Sequence, residues 1–317
     1  MQDSNITVTN QLRTTETLDA LSEEKIVQFL NEHTFTKGSK MLVTFFNTGV
    51  SSLVCKIVTD TKSYVLKIAL RTKPIDESIF LLAWEKAGVS VPQTYESGNF
   101  SGKKYFFLEY IDSNVLSKHF TPEKLVKENV YFEMGRTLKI MHGPIAQGFG
   151  RPEKGTGKYK TFNTWLTTGE DIQDALAYVL KNNLYPLHTN IINKCINTLL
   201  QNIGFDSKSS FCHDDYTIEN IFATQPLTVF DPNPKYNNGL IDLGRSIASI
   251  IGYGYEQTLE EQAIKQMVDG YFLNEESNQE TLIAVIILGI IWKSPYPHRT
   301  GNLEILKIFN KYLNRTI

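Results

Sequence analysis

The sequence is poor in cysteine, with three in 317 residues, Cys55, Cys195 and Cys212, at no metal-ligand spacing. An odd and scattered set builds neither a disulfide framework nor a zinc site, and reads as small buried hydrophobes in a reducing compartment. No block of like charge occurs either. The 32 Lys and Arg against 34 Asp and Glu leave a net charge of −2, so the positive excess with which nucleic-acid binders neutralise phosphates is missing. Glycine (20) and proline (11) are too few for a collagen-like or low-complexity chain. Long hydrophobic runs are absent too: the longest, Leu282–Trp292 (LIAVIILGIIW), has eleven residues, against the about 20 that cross a bilayer. It ends at Lys293, Ser294 and Pro295 and reads as a buried helix. The opening MQDSNITVTNQLRTTETLD has neither the basic start nor the apolar stretch of a signal peptide. The expectation is a cytoplasmic protein with no membrane or nucleic-acid partner. Its oligomeric state is not readable.

What is present is an ordinary globular composition, 41% apolar and 11% aromatic. A single core stops growing near ~250–300 residues, so two lobes are expected. The texture changes near residue 112. Before it, Met41–Asn47, Leu53–Thr59, Tyr64–Leu70 and Tyr105–Tyr110 read as strands. A helix is predicted at Glu23–Glu32, capped by Ser22, and another at Asp76–Lys86 with Ile79, Phe80, Leu82 and Ala83 on one face. After residue 112, Thr121-Pro122 opens a helix running toward His142. Further helices are predicted at Thr164–Lys181, Thr189–Ile203, Leu259–Tyr271, Glu280–Trp292 and Asn302–Asn314, with one β-type island, the hairpin Asn220–Asp231. The boundaries are 1–112, including a leading segment and helix over 1–36, and 113–317.

The sharpest motif is FCHDDYTIENIF, which holds His213-x-Asp215-x-x-x-x-Asn220. An Asp at the head of a loop can orient a hydroxyl or take its proton, and an Asn turned back by the loop can offer an amide oxygen to Mg²⁺. Eleven residues after Asn220, at the far end of the hairpin, Asp231 can supply a second ligand. Two ligands and a base at a hairpin mouth form the minimal apparatus for in-line phosphoryl transfer. Taken alone, the pattern also fits a polar turn between helix and strand. In the first region, Asn47–Ser52 with Gly49 and Ser51 is a polar turn suited to phosphate contact or to an ordinary hairpin. Lys67 sits in an apolar strand 18 residues after Gly49, where it pairs phosphates or snorkels to water. Glu77, in the next helix, either holds Lys67 or favours the helix dipole.

The order turn, strand Lys, helix Glu, connector, helices, H-x-D-x4-N, hairpin, Asp resembles the kinase-like phosphotransferases of the aminoglycoside phosphotransferase and choline kinase branch, from about Leu42 to at least Ile251. The segments KAGVSVP at 86–92, Phe107–Ile111, Met134–His142, Gly148–Gly150 and Thr161–Trp165 are similar to family segments. The resemblance implies an α+β, two-lobed protein-kinase-like fold with a small β-rich N-lobe and a larger, mostly helical C-lobe carrying a catalytic-loop hairpin. It implies Mg²⁺ as cofactor, ATP or GTP as co-substrate, and a small-molecule acceptor. Asp215 would be the catalytic carboxylate, and Asn220 and Asp231 the metal ligands. Lys67, fixed by Glu77, would meet the phosphates with the Gly49/Ser51 turn, and Glu109 and Ile111 would belong to the connector that meets the base. His213 and Asp242 would be structural.

Departures from the pattern are specific. Asp214 stands where the family usually has Gly, and Thr217-Ile218-Glu219 replace its usual turn residues. Asp242, in IDLGRS at 241–246, competes with Asp231 as ligand, and spacing favours Asp231 because a strand–turn–strand fits 11 residues. A protein kinase would show H-R-D, D-F-G and A-P-E, all absent here. The acceptor reads as an aminoglycoside-type antibiotic or as a choline, sugar or amino-alcohol metabolite. A catalytically inactive nucleotide-binding protein is the alternative. Glu256, Glu260, Glu261 and Asp269, with Asp214 and Glu219, form a candidate acidic wall for a polycation or are solvated helix faces. Tyr253, Tyr255, Tyr271 and Trp292 are candidates for a cation-binding cage or are core residues.

Overall fold

The computed structural model describes residues 6–9, 21–46, 52–70, 76–186, 189–203, 207–273 and 275–316. The chain divides into two compact units, residues 1–82 with 92–112, and residues 83–91 with 113–317.

The first unit is built on a sheet of six strands. In chain order its elements are β1 (Ile6–Thr9), α1 (Glu23–Glu32), β2 (Met41–Phe46), β3 (Ser52–Thr59), β4 (Ser63–Ala69), α2 (Glu77–Lys86, which runs on past the unit's edge), β5 (Thr94–Phe100) and β6 (Lys103–Glu109). The spatial order is β1-β2-β3-β4-β6-β5, parallel only between β1 and β2. Alternation decides which side chains go inward: Met41, Val43 and Phe45 are buried on β2 while Leu42 and Phe46 are exposed. Helix α1, capped as predicted by Ser22 accepting from the Lys25 amide, lays Ile26 and Leu30 with Leu21 on Cys55, Ile57, Leu66, Ile68 and Phe107. That covers one sheet face. By alternation along β4, Lys67 belongs to the other.

Strands β1 and β5 were not expected. In β5, TYESGNF has no apolar alternation, and its pairing with β6 is what holds it. The face assigned to the α2 helix is also corrected. Phe80, Leu81 and Trp84 are buried, whereas Ile79 and Leu82 are exposed. The stripe runs at i, i+1 and i+4 through 80, 81 and 84, because the helix turns its Glu77 end inward.

The second unit is mainly helical. It begins with α3 (Leu116–His119), α4 (Pro122–Lys127) and α5 (Val130–Met141), then β7 (Ile145–Ala146), β8 (Phe149–Glu153) and β9 (Thr156–Tyr159). Next come α6 (Phe162–Thr168), α7 (Glu170–Lys181), α8 (Thr189–Asn202), β10 (Ser209–Cys212), β11 (Ile221–Phe222), β12 (Thr228–Val229) and β13 (Lys235–Asn237). The chain finishes with α9 (Gly239–Gly252), α10 (Gln257–Phe272), α11 (Gln279–Lys293), α12 (Pro295–Thr300) and α13 (Leu303–Thr316). The single helix expected from Thr121 to His142 is two, broken where Asn129 takes a left-handed φ of 55°. The helix expected at Thr164–Lys181 is likewise broken, at Gly169.

The β content of this unit also exceeds expectation. Besides the hairpin β11–β12, strands β7-β10-β13-β8-β9 form a second sheet. Helix α9, which was not expected, packs its buried Ile241, Leu243, Ile247 and Ile251 into the core, with α11 against it. The stretch Gln279–Thr300, 22 residues, has the length and hydropathy of a membrane span, but 72% of its apolar window is buried within the fold. Its greater part, α11, is a buried core helix of the unit.

Candidate active site

The loop His213–Asn220 leaves β10 and is anchored from below by Asp242 in the first turns of α9. The Asp242 carboxylate accepts the backbone N–H groups of His213 (2.7 Å) and Asp214 (2.9 Å) and a bond from His142 Nε2 (3.1 Å). Burial pushes Asp242 up, but the His142 hydrogen bond and the charges of His142 and His213 outweigh it and hold the carboxyl below the ordinary aspartate range. Cys212 lies close enough to His142 and Asp242 to resemble a ligand triad. The Cys212 thiol, which burial holds well above the ordinary cysteine value, donates to the Asn237 carbonyl at 3.5 Å, while Asp242 is engaged by two loop amides and His142.

His213 clamps the loop to the strand end. Its Nε2 donates to the Phe230 carbonyl at 2.9 Å, and its own carbonyl accepts the Asn233 N–H at 2.9 Å. Trp84 stacks on the imidazole, with centroids 5.6 Å apart and planes 5° from parallel. Across the hairpin, the Phe230 N–H donates to the Asn220 carbonyl at 3.1 Å, which sets Asp231 beside Asn220. The Asn220 amide nitrogen donates to the Asp215 carbonyl (2.8 Å) and to Asp215 Oδ2 (3.1 Å). Its donor end is therefore committed, and its amide oxygen is the end left to serve as ligand. Asp231 is exposed and sits at φ 53°, a left-handed turn that aspartate tolerates better than most residues. Asp215, Asn220, Asp231, His213 and Asp242 are thus brought together. An amide oxygen and a carboxylate are hard donors that suit Mg²⁺.

Asp214 explains its own departure from the family pattern. Its φ is 60°, the conformation that favours glycine. The aspartate is buried and held by Arg245 Nη1, Lys235 Nζ (2.9 Å) and Asn233 Nδ2 (3.1 Å), and Lys235 also pairs with Asp171 at 2.7 Å. Burial pushes the Asp214 carboxyl above the ordinary aspartate range, against the pull of Arg245 and Lys235. Its charge is enclosed in a network behind the loop rather than offered to a ligand.

Lys293, at the end of α11, was read from sequence only as the stop of an apolar run. Its Nζ lies 3.6 Å from Asp215 Oδ1, its one ion pair among the described residues. Burial holds this ammonium below the ordinary lysine range, although Asp215 pulls the other way. No periodicity points to it, because its place depends on how α11 crosses α9.

In the first unit, Lys67 and Glu77 are both buried and pair at 2.6 Å (Nζ to Oε2). Glu109 ends β6, exchanging backbone and side-chain bonds with Gln93, and Ile111 lies two residues beyond it. Gly49 and Ser51 lie outside the described residues.

Several residues of the candidate acidic wall and aromatic cage are engaged within the protein, while Tyr253 and Tyr255 stack on each other with centroids 5.5 Å apart. Glu260 is buried against Arg315, Asp269 pairs with Lys265, Glu219 accepts from the Tyr253 hydroxyl, and Asp214 is enclosed. Glu256 accepts from the Thr258 amide and Glu261 from Gln257, as ordinary helix-end and surface groups. Among the aromatics, Tyr271 is buried on His142, and Trp292 already carries Lys235 and Arg245 over its ring at 4.0 and 4.4 Å.

Comparison with known proteins bears on the fold and the family. No curated protein matches the chain. The aminoglycoside phosphotransferase APH(4)-Ia has the same fold, with a TM-score of 0.64, 14% identity, and 90% of this chain and 94% of that one covered. A thermostable mutant of that enzyme, in ternary complex with AMP-PNP and hygromycin B, gives 0.60 at 15% identity, covering 88% and 93%. A Plasmodium vivax ethanolamine kinase gives 0.58 at 12%, covering 87% and 82%. The model of the phosphotransferase enzyme family matches residues 43–248. The chain therefore belongs to that family, and with it to the small-molecule kinases built on the two-lobed α+β protein-kinase-like fold.

Proposed function

We propose that the protein transfers the γ-phosphate of a nucleoside triphosphate, ATP in the first instance, to a hydroxyl of a small molecule with Mg²⁺ as cofactor. The observation that carries this reading is the clamp of His213 and Asn220 that gathers Asp215, Asn220 and Asp231 at one hairpin. The complex of the APH(4)-Ia mutant with AMP-PNP and hygromycin B supports a nucleotide donor and a small-molecule acceptor.

In this reading Asp215 aligns the acceptor hydroxyl in line with the γ-phosphorus and takes its proton as the bond forms. Asn220 and Asp231 are the residues that would hold the metal. Bound there, Mg²⁺ supplies electrostatic stabilisation of charge on the phosphate oxygens. Lys67, oriented by Glu77, offsets the charge of the α- and β-phosphates. Asp242 is supported as brace and Asp231 as ligand, because the oxygens of Asp242 are already engaged with two amides and His142. The transition state of phosphoryl transfer is loose, so alignment and charge placement carry the rate rather than a strong base.

The test is phosphate transfer from Mg²⁺-ATP and Mg²⁺-GTP to a panel of hydroxyl compounds. Asp215→Asn is expected to keep nucleotide binding and lose about 10²–10⁴-fold in turnover. Asp231→Ala is expected to abolish turnover. Survival of activity in either variant removes the role assigned to that residue.

A further inference from the structure

The surroundings of Asp215 carry information about the acceptor. The ammonium of Lys293 stands 3.6 Å from Asp215 Oδ1, while Oδ2 accepts from Asn220, so one side of the hydroxyl-orienting carboxylate faces a cation. Behind the loop, Lys235 and Arg245 sit on the ring of Trp292, the residue preceding Lys293, and that ring stacks in turn on Trp165 at 5.8 Å. The aromatic face next to the site is therefore occupied by the protein's own cations. Three of the carboxylates that would greet a polycation are paired with the protein's own cations: Asp214 with Arg245 and Lys235, Asp171 with Lys235, and Glu260 with Arg315.

Resting on the reading of the chain as a hydroxyl kinase, we propose that Lys293 is a specificity-determining residue and that the acceptor group presented to Asp215 carries no positive charge. The acceptor class is a polyol, sugar, nucleoside or hydroxy acid rather than an amino-alcohol, a quaternary ammonium compound or an aminoglycoside. An ammonium beside the reacting hydroxyl would have to lie against Lys293 in a partly dehydrated site, where like charges repel strongly. Discrimination arises from this repulsive element as much as from any attractive contact. A neutral or anionic acceptor meets no such penalty and gains a hydrogen-bond donor in the lysine.

Matched acceptors that differ by one charge test the proposal: D-glucose with D-glucosamine, glycerol with 3-amino-1,2-propanediol, and ribonucleosides and D-glycerate against ethanolamine, choline and hygromycin B. The kcat/KM with Mg²⁺-ATP is measured for wild type, Lys293→Gln and Lys293→Arg, with thermal melting and Mg²⁺-ATP binding recorded for each. Wild type is expected to favour the uncharged or anionic member by at least about tenfold. Lys293→Gln is expected to narrow that ratio about tenfold, whereas Lys293→Arg keeps it. A wild type that prefers cationic acceptors, a ratio unmoved in Lys293→Gln, or silence from every neutral and anionic acceptor while Mg²⁺-ATP binds overturns the proposal. Failure of the wild type to bind Mg²⁺-ATP overturns instead the kinase reading on which it rests.

Discussion

Gly244 of α9 and Gly289 of α11 meet so closely that a Cβ on Gly289 would stand 2.5 Å from the Gly244 carbonyl oxygen. The reverse contact is as tight, since a Cβ on Gly244 would stand 2.3 Å from the Val285 carbonyl oxygen. Arg245 follows the first glycine, and Lys293 lies one turn beyond the second. The crossing therefore fixes the two cations against Asp214 and Asp215 by backbone contact rather than by flexible side chains.

Gly289→Ala forces the helices apart at this point. The expected cost is about 1–3 kcal/mol of stability, as for overpacking in a core. Displacement of Lys293 and Arg245 from the loop is expected to lower kcat while the KM for ATP stays near wild type. Urea denaturation and steady-state kinetics read the two effects separately. A variant with full stability would show that α9 and α11 have room to separate.

Asp214→Gly tests why this chain departs from the family's glycine. Glycine relieves a backbone at φ 60°, but it leaves the buried Arg245 and Lys235 without the carboxylate between them. Loss of one member of a buried ion network costs about 3–5 kcal/mol, above the about 1–2 kcal/mol that relaxing a left-handed residue returns. The expected outcome is a destabilised protein despite the better backbone. Asp214→Gly combined with Arg245→Met is expected to recover part of the loss.

Much of this architecture was legible before any coordinates, and the gaps have physical causes. The strands β2, β3 and β4 alternate or run apolar, Ser22 and Thr121 cap their helices, and the spacing from the H-x-D-x4-N loop to Asp231 fits the short hairpin that is found there. The β5 strand was missed because its stability comes from pairing with β6 rather than from its own pattern. Helix α9 was missed because IDLGRS was read for its Asp alone, although Asn238 caps the helix by accepting from the Leu240 amide. Lys293 and Trp84 serve the site through tertiary contacts across long sequence separations, 78 and 129 residues to Asp215 and His213, which local periodicity does not report.

Glu77→Gln probes the first unit. The Lys67–Glu77 pair is buried, with side-chain exposures of 11% and 6%, so the charge on Lys67 is little screened by water. The amide keeps the shape and a hydrogen-bond acceptor but removes the counter-charge that holds Lys67 in one position. We expect the KM for ATP to rise about tenfold or more, with a smaller fall in stability than Glu77→Ala would give. Lys67→Met should match it in KM if the two residues act as one unit, and a double variant no worse than either single one would confirm the coupling.

Asp242 gives the protein an acid limit. Its carboxyl is held below the ordinary aspartate range, because the opposing hydrogen bonds and charges of His142 and His213 exceed the effect of burial. A group whose folded-state pKa is depressed contributes stability that is present above the unfolded value, about 3.9 for aspartate, and is lost as pH falls through the folded value. Wild type should therefore lose stability as pH drops below about 4. Asp242→Asn removes that contribution at all pH values and turns an amide toward the His213 and Asp214 N–H groups. It should be less stable at pH 7 by about 3 kcal/mol or more. Its stability difference from wild type should shrink below pH 4. Urea midpoints across that range measure it, and a gap that stays constant down to pH 2 would show that Asp242 is not ionised in the folded protein.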